Sequence, residues 1–396
     1  MHKLLLLAAF VAAPAMADAQ PQPDEQNVVV TGVRVQDFRD RLAACLARNC
    51  PPNEDADATL ALAEALFLNG DYAGGRSAVR ASIGRNRDEA RGFPEPVADL
   101  YRANARLARH IGYDREARTS TFEILNALQA GIPAEDHRHF TARFEIAEMQ
   151  MMSGNFNGAR RELTRLRRAA RDAGREDVAL LAELRDVWYE LIAFPASDAR
   201  SRLITWSRDS SPAQRMRAVG SRILLARVYR SEGDIARSDA LLAEIGAVAR
   251  AGAHRRLVHS PRYQLFQADL NVGGGDNTLG EMVAFGNTLN RTTENYEDKW
   301  IDVGFWIMPN GRVSELEVLR RGASDDWAQP LLESIRGRLY NEGPEATYRL
   351  ERFSMTAGFE AVTGTRVRRR GPAARVEYLD LTANQPGEQP APPPSR

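Results

Sequence analysis

Four glycines form a ruler along the first part of this chain. Gly70, Gly112, Gly154 and Gly233 are spaced by 42, 42 and 79 residues, the last interval close to two periods. Seven residues before each stands an alanine (Ala63, Ala105, Ala147, Ala226), and five residues after each stands a small residue (Gly75, Ala117, Ala159, Ser238). A fixed interval of about 20 to 50 residues marks a stacked repeat architecture. Each unit reads as two antiparallel helices. Glycine accepts the left-handed backbone that ends the first helix, and Asp71, Asn155 and Asp234, directly after it, can cap the second. Small residues at fixed offsets then mark where the two helices cross closely, because a bulky side chain would hold the backbones apart.

The segments LALAEALFLNGDYAGGRSAV, FEIAEMQMMSGNFNGARREL and LLARVYRSEGDIARSDALL carry a small residue in the first helix, a Gly-Asp/Asn turn and a small residue in the second. In this they resemble the tetratricopeptide repeat family, over about residues 56 to 250. The chain departs from that pattern in its period, which the family sets at about 34. Ile235 stands in the last unit where Tyr72 and Phe156 put an aromatic after Gly-Asp/Asn, Gly112-Tyr113-Asp114 shifts the cap, and Phe194-Pro195 stands where a fifth unit, Asp177 to Arg208, should have Gly-Asp. The resemblance implies a helical solenoid with a curved groove that binds proteins or peptides. The alternative is an array that only holds its neighbour.

From Leu257 the helical period fades, and Gly273-Gly274-Gly275 reads as part of a linker over 251–297. It is no phosphate loop, since Gly-Lys-Ser/Thr does not follow. Beyond it, Ile301, Val303, Phe305 and Ile307 alternate with Trp300, Asp302, Gly304 and Trp306, which predicts a strand with one core face. Asn310-Gly311 offers the positive φ angles of a tight hairpin turn. Val313 to Leu319 returns with Leu316 and Val318 inward and a bulge near the turn, since Val313 has the opposite parity. Asp325 and Asp326, with Ser324, offer helix caps before Trp327, Leu331, Ile335 and Leu339, a stripe at four-residue spacing. YRLERFSMTAGFEA then alternates as a third strand.

This strand, strand, helix, strand order, carried by VGFWIMPNGRVSELEVLRRGASDDWAQPLLESIRGRLY, resembles the C-terminal domain of the TonB energy-transducer family, over about residues 298 to 360. The family's opening Tyr-Pro is absent, and Trp327 with Pro330 departs from its helix start. The resemblance implies a small ββαβ domain whose exposed strand edge adds an extended peptide from an outer-membrane receptor to the sheet. Here the implied edge is the run from Tyr348, with Leu350, Arg352, Phe353 and Met355 as the candidate peptide-binding residues. A closed or covered edge is the competing reading.

The N-terminus MHKLLLLAAFVAAPAMADAQ combines a basic start, an apolar run and small-x-small cleavage sites, the pattern of an export signal. The run is short against the about 20 residues that span a bilayer, so the expectation is a cleaved, periplasmic protein without a membrane anchor. Cys45 and Cys50, the only cysteines, are expected to form a disulfide in that compartment. The stretch NVVVTGVRV, Asn27 to Val35, resembles the short apolar peptide of TonB-dependent receptors, and reads otherwise as an ordinary strand or staple. Acidic and basic side chains balance at 53 each, so charge alone points to no polyanion such as nucleic acid. Lysine occurs only at Lys3 and Lys299, a bias of a GC-rich bacterial genome.

Chemistry-bearing motifs are weak. His137 and His139 lie two apart and point to different helix faces, and His254 with His259 falls in a loop, so all four read as surface residues. His110 ends a helix, where a cation suits the dipole. The basic run Arg366 to Arg370 reads as a solvated hairpin flank, and the tail from Asn384 as disordered.

The expected class is α+β. Its parts are a signal peptide (1–19), a segment with the cysteine pair (20–55), tetratricopeptide-like helices (56–250), a linker (251–297), a TonB-like domain (298–382) and a Pro-rich tail (383–396). The expected function is a non-enzymatic interaction scaffold without cofactor or metal, binding proteins or peptides and TonB-dependent receptors among them. A TonB-like transducer and a cell-envelope hydrolase are the alternatives.

Overall fold

The computed structural model describes residues 34–249, 257–261, 298–323, 325–361 and 368–382. The export signal, the apolar stretch up to Val33, Gly273-Gly275, His254, Ser324 and the tail from Asn384 lie outside them. The array comprises α1 (Val35–Ala47), α2 (Pro52–Leu68), α3 (Tyr72–Asn86), α4 (Pro94–His110), α5 (Asp114–Gly131), α6 (His137–Met152), α7 (Phe156–Asp172), α8 (Glu176–Ala193), α9 (Ala199–Ser207), α10 (Arg215–Ser231) and α11 (Ile235–Ala249). None of the described helices is long and apolar enough to cross a membrane.

Every glycine of the ruler ends the first helix of a hairpin in the left-handed region, with φ of 82° at Gly70 and Gly112, 74° at Gly154 and 84° at Gly233. The same bond closes each turn: the N–H of Asp71, Tyr113, Asn155 and Asp234 reaches back to the carbonyl of Leu66, Ala108, Gln150 and Tyr229. Asp71, Asn155 and Asp234 then accept from the backbone N–H of Gly74, Gly158 and Arg237. At α5 the cap position is Tyr113, which supplies no side-chain acceptor. The small residues lie in the crossings: Ala147, Ala159, Ala226 and Ser238 are fully buried, and a Cβ on Gly75 would stand 3.2 Å from the Ala63 carbonyl.

Ion pairs link different helices, some adjacent in the chain and some one helix apart. Arg76 pairs with Glu116, Arg102 with Glu145, Arg143 with Glu162, and Arg160 with both Asp186 and Glu190. Glu162 and Glu190 are buried and the other partners partly so, and a fully exposed pair would contribute about 0 to 1 kcal/mol. The apolar clusters therefore supply the stacking energy, and the pairs favour one register.

The sheet runs β3-β2-β5-β6, antiparallel throughout, from β2 (Trp300–Ile307), β3 (Val313–Arg321), β5 (Thr347–Ala361) and β6 (Arg368–Asp380). Helix α12 (Gln329–Arg336) and the short β4 (Leu339–Tyr340) lie between β3 and β5 in the chain. β4 pairs with β1 (Leu257–His259), a strand inside the stretch expected as linker. One sheet face packs Ile301, Val303, Phe305, Ile307, Phe353 and Met355 against Trp327, Leu331 and Ile335. Leu339 leaves the expected helical stripe, because the helix ends at Arg336 and the chain turns into β4.

The hairpin turn also differs in detail. Only Gly311 takes positive φ, 77°. Asn310 instead accepts the Arg312 N–H on its side chain, and Met308 N–H bonds the Arg312 carbonyl across a three-residue loop. The expected bulge is present: the β2–β3 register shifts between Gly304 and Trp306, and Glu315 has φ 49°.

Candidate functional site

Both faces of β2 are buried along its whole length, where the alternation predicted one. The second face meets the array. Arg352, fully buried, donates Nε and Nη2 to the Asp302 carboxylate at 2.6 and 2.8 Å. Its other N–H groups reach the Phe67 and Leu68 carbonyls, the last of α2. A guanidinium at a helix C-terminus satisfies carbonyls that lack an intrahelical partner and opposes the negative end of the dipole. Asp302 also receives Arg320 at 2.7 Å, so this buried charge is fully paired, the condition under which burial is tolerated.

Around that pair, Tyr72 and Ser354 share a hydrogen bond of 2.9 Å, and Trp300 joins the cluster of Phe67, Tyr72, Leu100 and Leu107. His110 is enclosed by Phe67 and Tyr72, with ring centres 4.9 and 5.4 Å away. Burial, with Arg106, Arg109, Arg352 and Arg375 nearby, pushes its pKa down to about 3. His110 is therefore neutral, which corrects its expected role as a cation at the end of α4. Arg375 donates to the Arg109 carbonyl at 3.2 Å, and Arg227 of α10 donates to Leu257 of β1 at 2.6 Å. Segments C-terminal to the array thus touch both its first hairpin and its last.

This arrangement overturns the expected capture edge. The strand holding Tyr348, Leu350, Arg352, Phe353 and Met355 is interior, paired with β2 on one side and with β6 on the other. β6 is the strand the short alternation window did not include. Tyr348 packs edge-on against Trp306 at 5.2 Å. The Leu350 N–H and carbonyl are taken by Thr382 and Leu381, and Phe353 and Met355 belong to the core. Cys45 and Cys50 are disulfide-bonded, with Cα atoms 5.2 Å apart.

The expected surface histidines divide. His137 is exposed beside Asp136, at 3.3 Å. His139 is buried, and burial lowers its pKa although a ring hydrogen bond to the Leu128 backbone acts to raise it. Among the described residues no group of three or more His, Cys, Asp or Glu side chains is placed to hold a metal ion. Asp325 pairs with Arg321 and caps nothing with its side chain.

A second feature was not read from the sequence. The turns of successive hairpins expose large apolar side chains: Tyr113 (51%), Met152 (53%), Phe194 (41%) and Ile235 (44%). All lie near the turn of their hairpins, Met152 and Phe194 at the end of the first helix and Tyr113 and Ile235 at the start of the second. The equivalent place in the first hairpin is covered. There Tyr72 is buried, and the Trp300 indole lies 2.6 Å from where a Gly70 Cβ would stand.

No known protein family matches the sequence, and no curated protein matches it. Solved structures similar to the chain include a Podosopora anserina protein assigned as a kinesin light chain with nearly identical TPR-like repeats. It is 15% identical over 52% of this chain and 99% of its own, with TM-score 0.37. A single-substitution variant of it is 16% identical over 50% and 96%, also at 0.37. BtubC (BKLC) of P. vanneervenii is 16% identical over 62% of this chain and 96% of its own, with TM-score 0.39.

Proposed function

We propose that this chain is an exported, non-enzymatic scaffold that binds protein partners along the turn edge of its helical array. The row of exposed apolar side chains, Tyr113, Met152, Phe194 and Ile235, carries this reading. Exposed apolar side chains at neighbouring turns support an interaction surface, and at the first turn the chain's own sheet packs on the array, with an aromatic side chain over the glycine and a guanidinium on the helix carbonyls. Export to the periplasm is supported by the signal-like N-terminus and by the Cys45–Cys50 disulfide.

The strand, strand, helix order of β2, β3 and α12 supports a TonB-like fold for the C-terminal module. β5 offers no edge to a receptor peptide, since both sides of that strand are already paired. Cross-linking in living cells tests the scaffold reading. Met152→Asp with Phe194→Asp should lose the partners of the unaltered protein while circular dichroism stays the same, and unchanged partners would refute the turn-edge surface. The mature N-terminus, read by mass spectrometry of the periplasmic fraction, tests export.

A further inference from the structure

The first two turns of the array each hold an arginine of the sheet, and they hold it at equivalent backbone atoms. Phe67, Arg109 and Met151 stand 42 residues apart, the spacing of the glycine ruler. Their carbonyls accept the N–H of Gly70, Gly112 and Gly154 at 2.9, 3.2 and 3.0 Å. A carbonyl oxygen has two lone pairs, so each can take a second donor. The Phe67 carbonyl takes Nη1 of Arg352, whose Nη2 reaches the Leu68 carbonyl at 3.0 Å. The Arg109 carbonyl takes Nη2 of Arg375, from the neighbouring strand, at 3.2 Å. The last carbonyls of a helix lack intrahelical partners and form the negative end of its dipole, which is why a guanidinium suits both places.

The third turn presents the same acceptors without an arginine. Among the described residues the Met151 carbonyl receives the Gly154 N–H and no side-chain donor, and the Met152 carbonyl receives no donor. A Cβ on Gly154 would meet nothing within 4 Å, so the backbone that Trp300 covers at Gly70 is open here. Phe156 stands two residues after its glycine, as Tyr72 does, and packs edge-on against the exposed Phe194 ring with centres 6.4 Å apart. At the first turn the Phe67 and Tyr72 rings form such a pair at 4.9 Å, and the Arg352 guanidinium carbon lies 5.3 Å from the Phe67 ring centre. Exposed Glu148, one helical turn before Met152, adds negative charge. The last hairpin differs: Tyr229, beside its turn, already carries the guanidinium groups of Arg200 and Arg237 at 5.4 and 5.7 Å, which would repel a further cation.

We infer that the α6–α7 turn binds a partner segment carrying an arginine beside an aromatic side chain. The guanidinium lies on the Met151 and Met152 carbonyls against Phe156 and Phe194, and the aromatic ring covers Gly154. The inference rests on the turn-edge reading and names the chemistry of its partner. Arginine is favoured over lysine because its planar fork spans two carbonyls and stacks on rings.

Methyl NMR of the full chain with isotope-labelled methionines tests this, Met152→Leu identifying the Met152 signal. The probe is a capped glycine-serine peptide with tryptophan and arginine two residues apart, on one face when extended. Its comparison carries lysine for arginine. The Met152 methyl should shift and saturate with an affinity on the order of 1 mM, as suits a single small contact. The lysine peptide should bind about fivefold more weakly, one hydrogen bond being lost. Gly154→Asn keeps the left-handed turn and should abolish the shift by covering the open backbone, and Phe194→Ala should weaken binding about threefold by removing a ring. Circular dichroism should be unchanged in both. Absence of a shift at about 5 mM peptide, equal affinity for the lysine peptide, or affinity unchanged in both variants would each overturn the inference. The turn-edge reading is tested separately: if Met152→Asp with Phe194→Asp loses its cross-linked partners while the arginine peptide fails, the edge stands and the arginine chemistry falls.

Discussion

The guanidinium carbon of Arg352 stands 3.9 Å from the ring centre of Trp300, and the same guanidinium bonds Asp302 and the carbonyls ending α2. One side chain thus couples the sheet to the first hairpin by stacking, charge and hydrogen bonding together. Arg352→Ala leaves Asp302 buried with Arg320 alone, frees the Leu68 carbonyl and leaves that of Phe67 to the Gly70 N–H. The expected loss is about 3 kcal/mol, the low end for breaking a buried pair. Arg352→Lys keeps the charge and loses the planar fork, so it should fall between. Urea unfolding of the three proteins measures the series, and equal stabilities would show the junction is not formed in solution.

Gly70 and Gly154 have nearly the same backbone, φ 82° and 74°, and different surroundings. A Cβ on Gly154 meets nothing within 4 Å, whereas one on Gly70 meets the Trp300 indole at 2.6 Å. Gly154→Ala should therefore cost only the left-handed backbone, about 1 to 2 kcal/mol. Gly70→Ala should cost more by about 1 kcal/mol or above, the overpacking contribution. In a Trp300→Ala background the two costs should converge. A Gly70→Ala penalty unaffected by Trp300→Ala would contradict the docked indole.

These two positions show what sequence reasoning reached. A left-handed helix end is a local demand of the backbone, so Gly70, Gly112, Gly154 and Gly233 could be placed without tertiary information. The core parity of Ile301, Val303, Phe305 and Ile307 is local in the same sense. Arg352 is another matter: nothing within a few residues of it says that α2, far away in the chain, ends beside it. The edge assignment failed similarly, since whether β5 is interior depends on β6, beyond the stretch whose alternation was clear. A trace of the junction was present in Trp300, an aromatic on the face of β2 opposite the core stripe. The turn residues Tyr113, Met152, Phe194 and Ile235 were hidden because both the residue type and its offset from the turn differ from hairpin to hairpin.

His110 makes the fold sensitive to acid. The unfolded chain protonates this imidazole near its ordinary pKa of 6.5, and the folded protein only near about 3. Its contribution is complete above pH 6.5 and falls as the pH drops toward 3, because protons then favour the unfolded state. At pH 5 the loss is about 2 kcal/mol. His110→Phe keeps an aromatic ring beside Phe67 and Tyr72 and removes the titration. Unfolding free energies of both proteins at pH 7 and pH 5 should show the wild type losing about 2 kcal/mol more than the variant. Parallel losses would mean that His110 is exposed to protons in the folded state.

The Cys45–Cys50 disulfide closes a short loop between α1 and α2. The chain-entropy account gives about 2 kcal/mol for a loop of this length. The bond lies at the end of the array, so its loss should act locally. Hydrogen exchange with and without dithiothreitol should show α1 losing protection while α4 to α7 keep theirs. Loss of protection throughout would make the α1 contact a keystone of the array.

Gly84 and Gly158 separate glycines that packing demands from those it does not. A Cβ on Gly158 would fall 2.0 Å from Gln150 Oε1 and 2.3 Å from the Asn155 cap, so Gly158→Ala should destabilise by disturbing the start of α7. A Cβ on Gly84 meets open space, so Gly84→Ala should stabilise α3 by about 0.5 to 1 kcal/mol, the propensity gain of alanine in a helix interior. Urea midpoints should therefore move in opposite directions. A Gly84→Ala protein less stable than the unaltered chain would show that a side chain at this position meets a neighbour in solution.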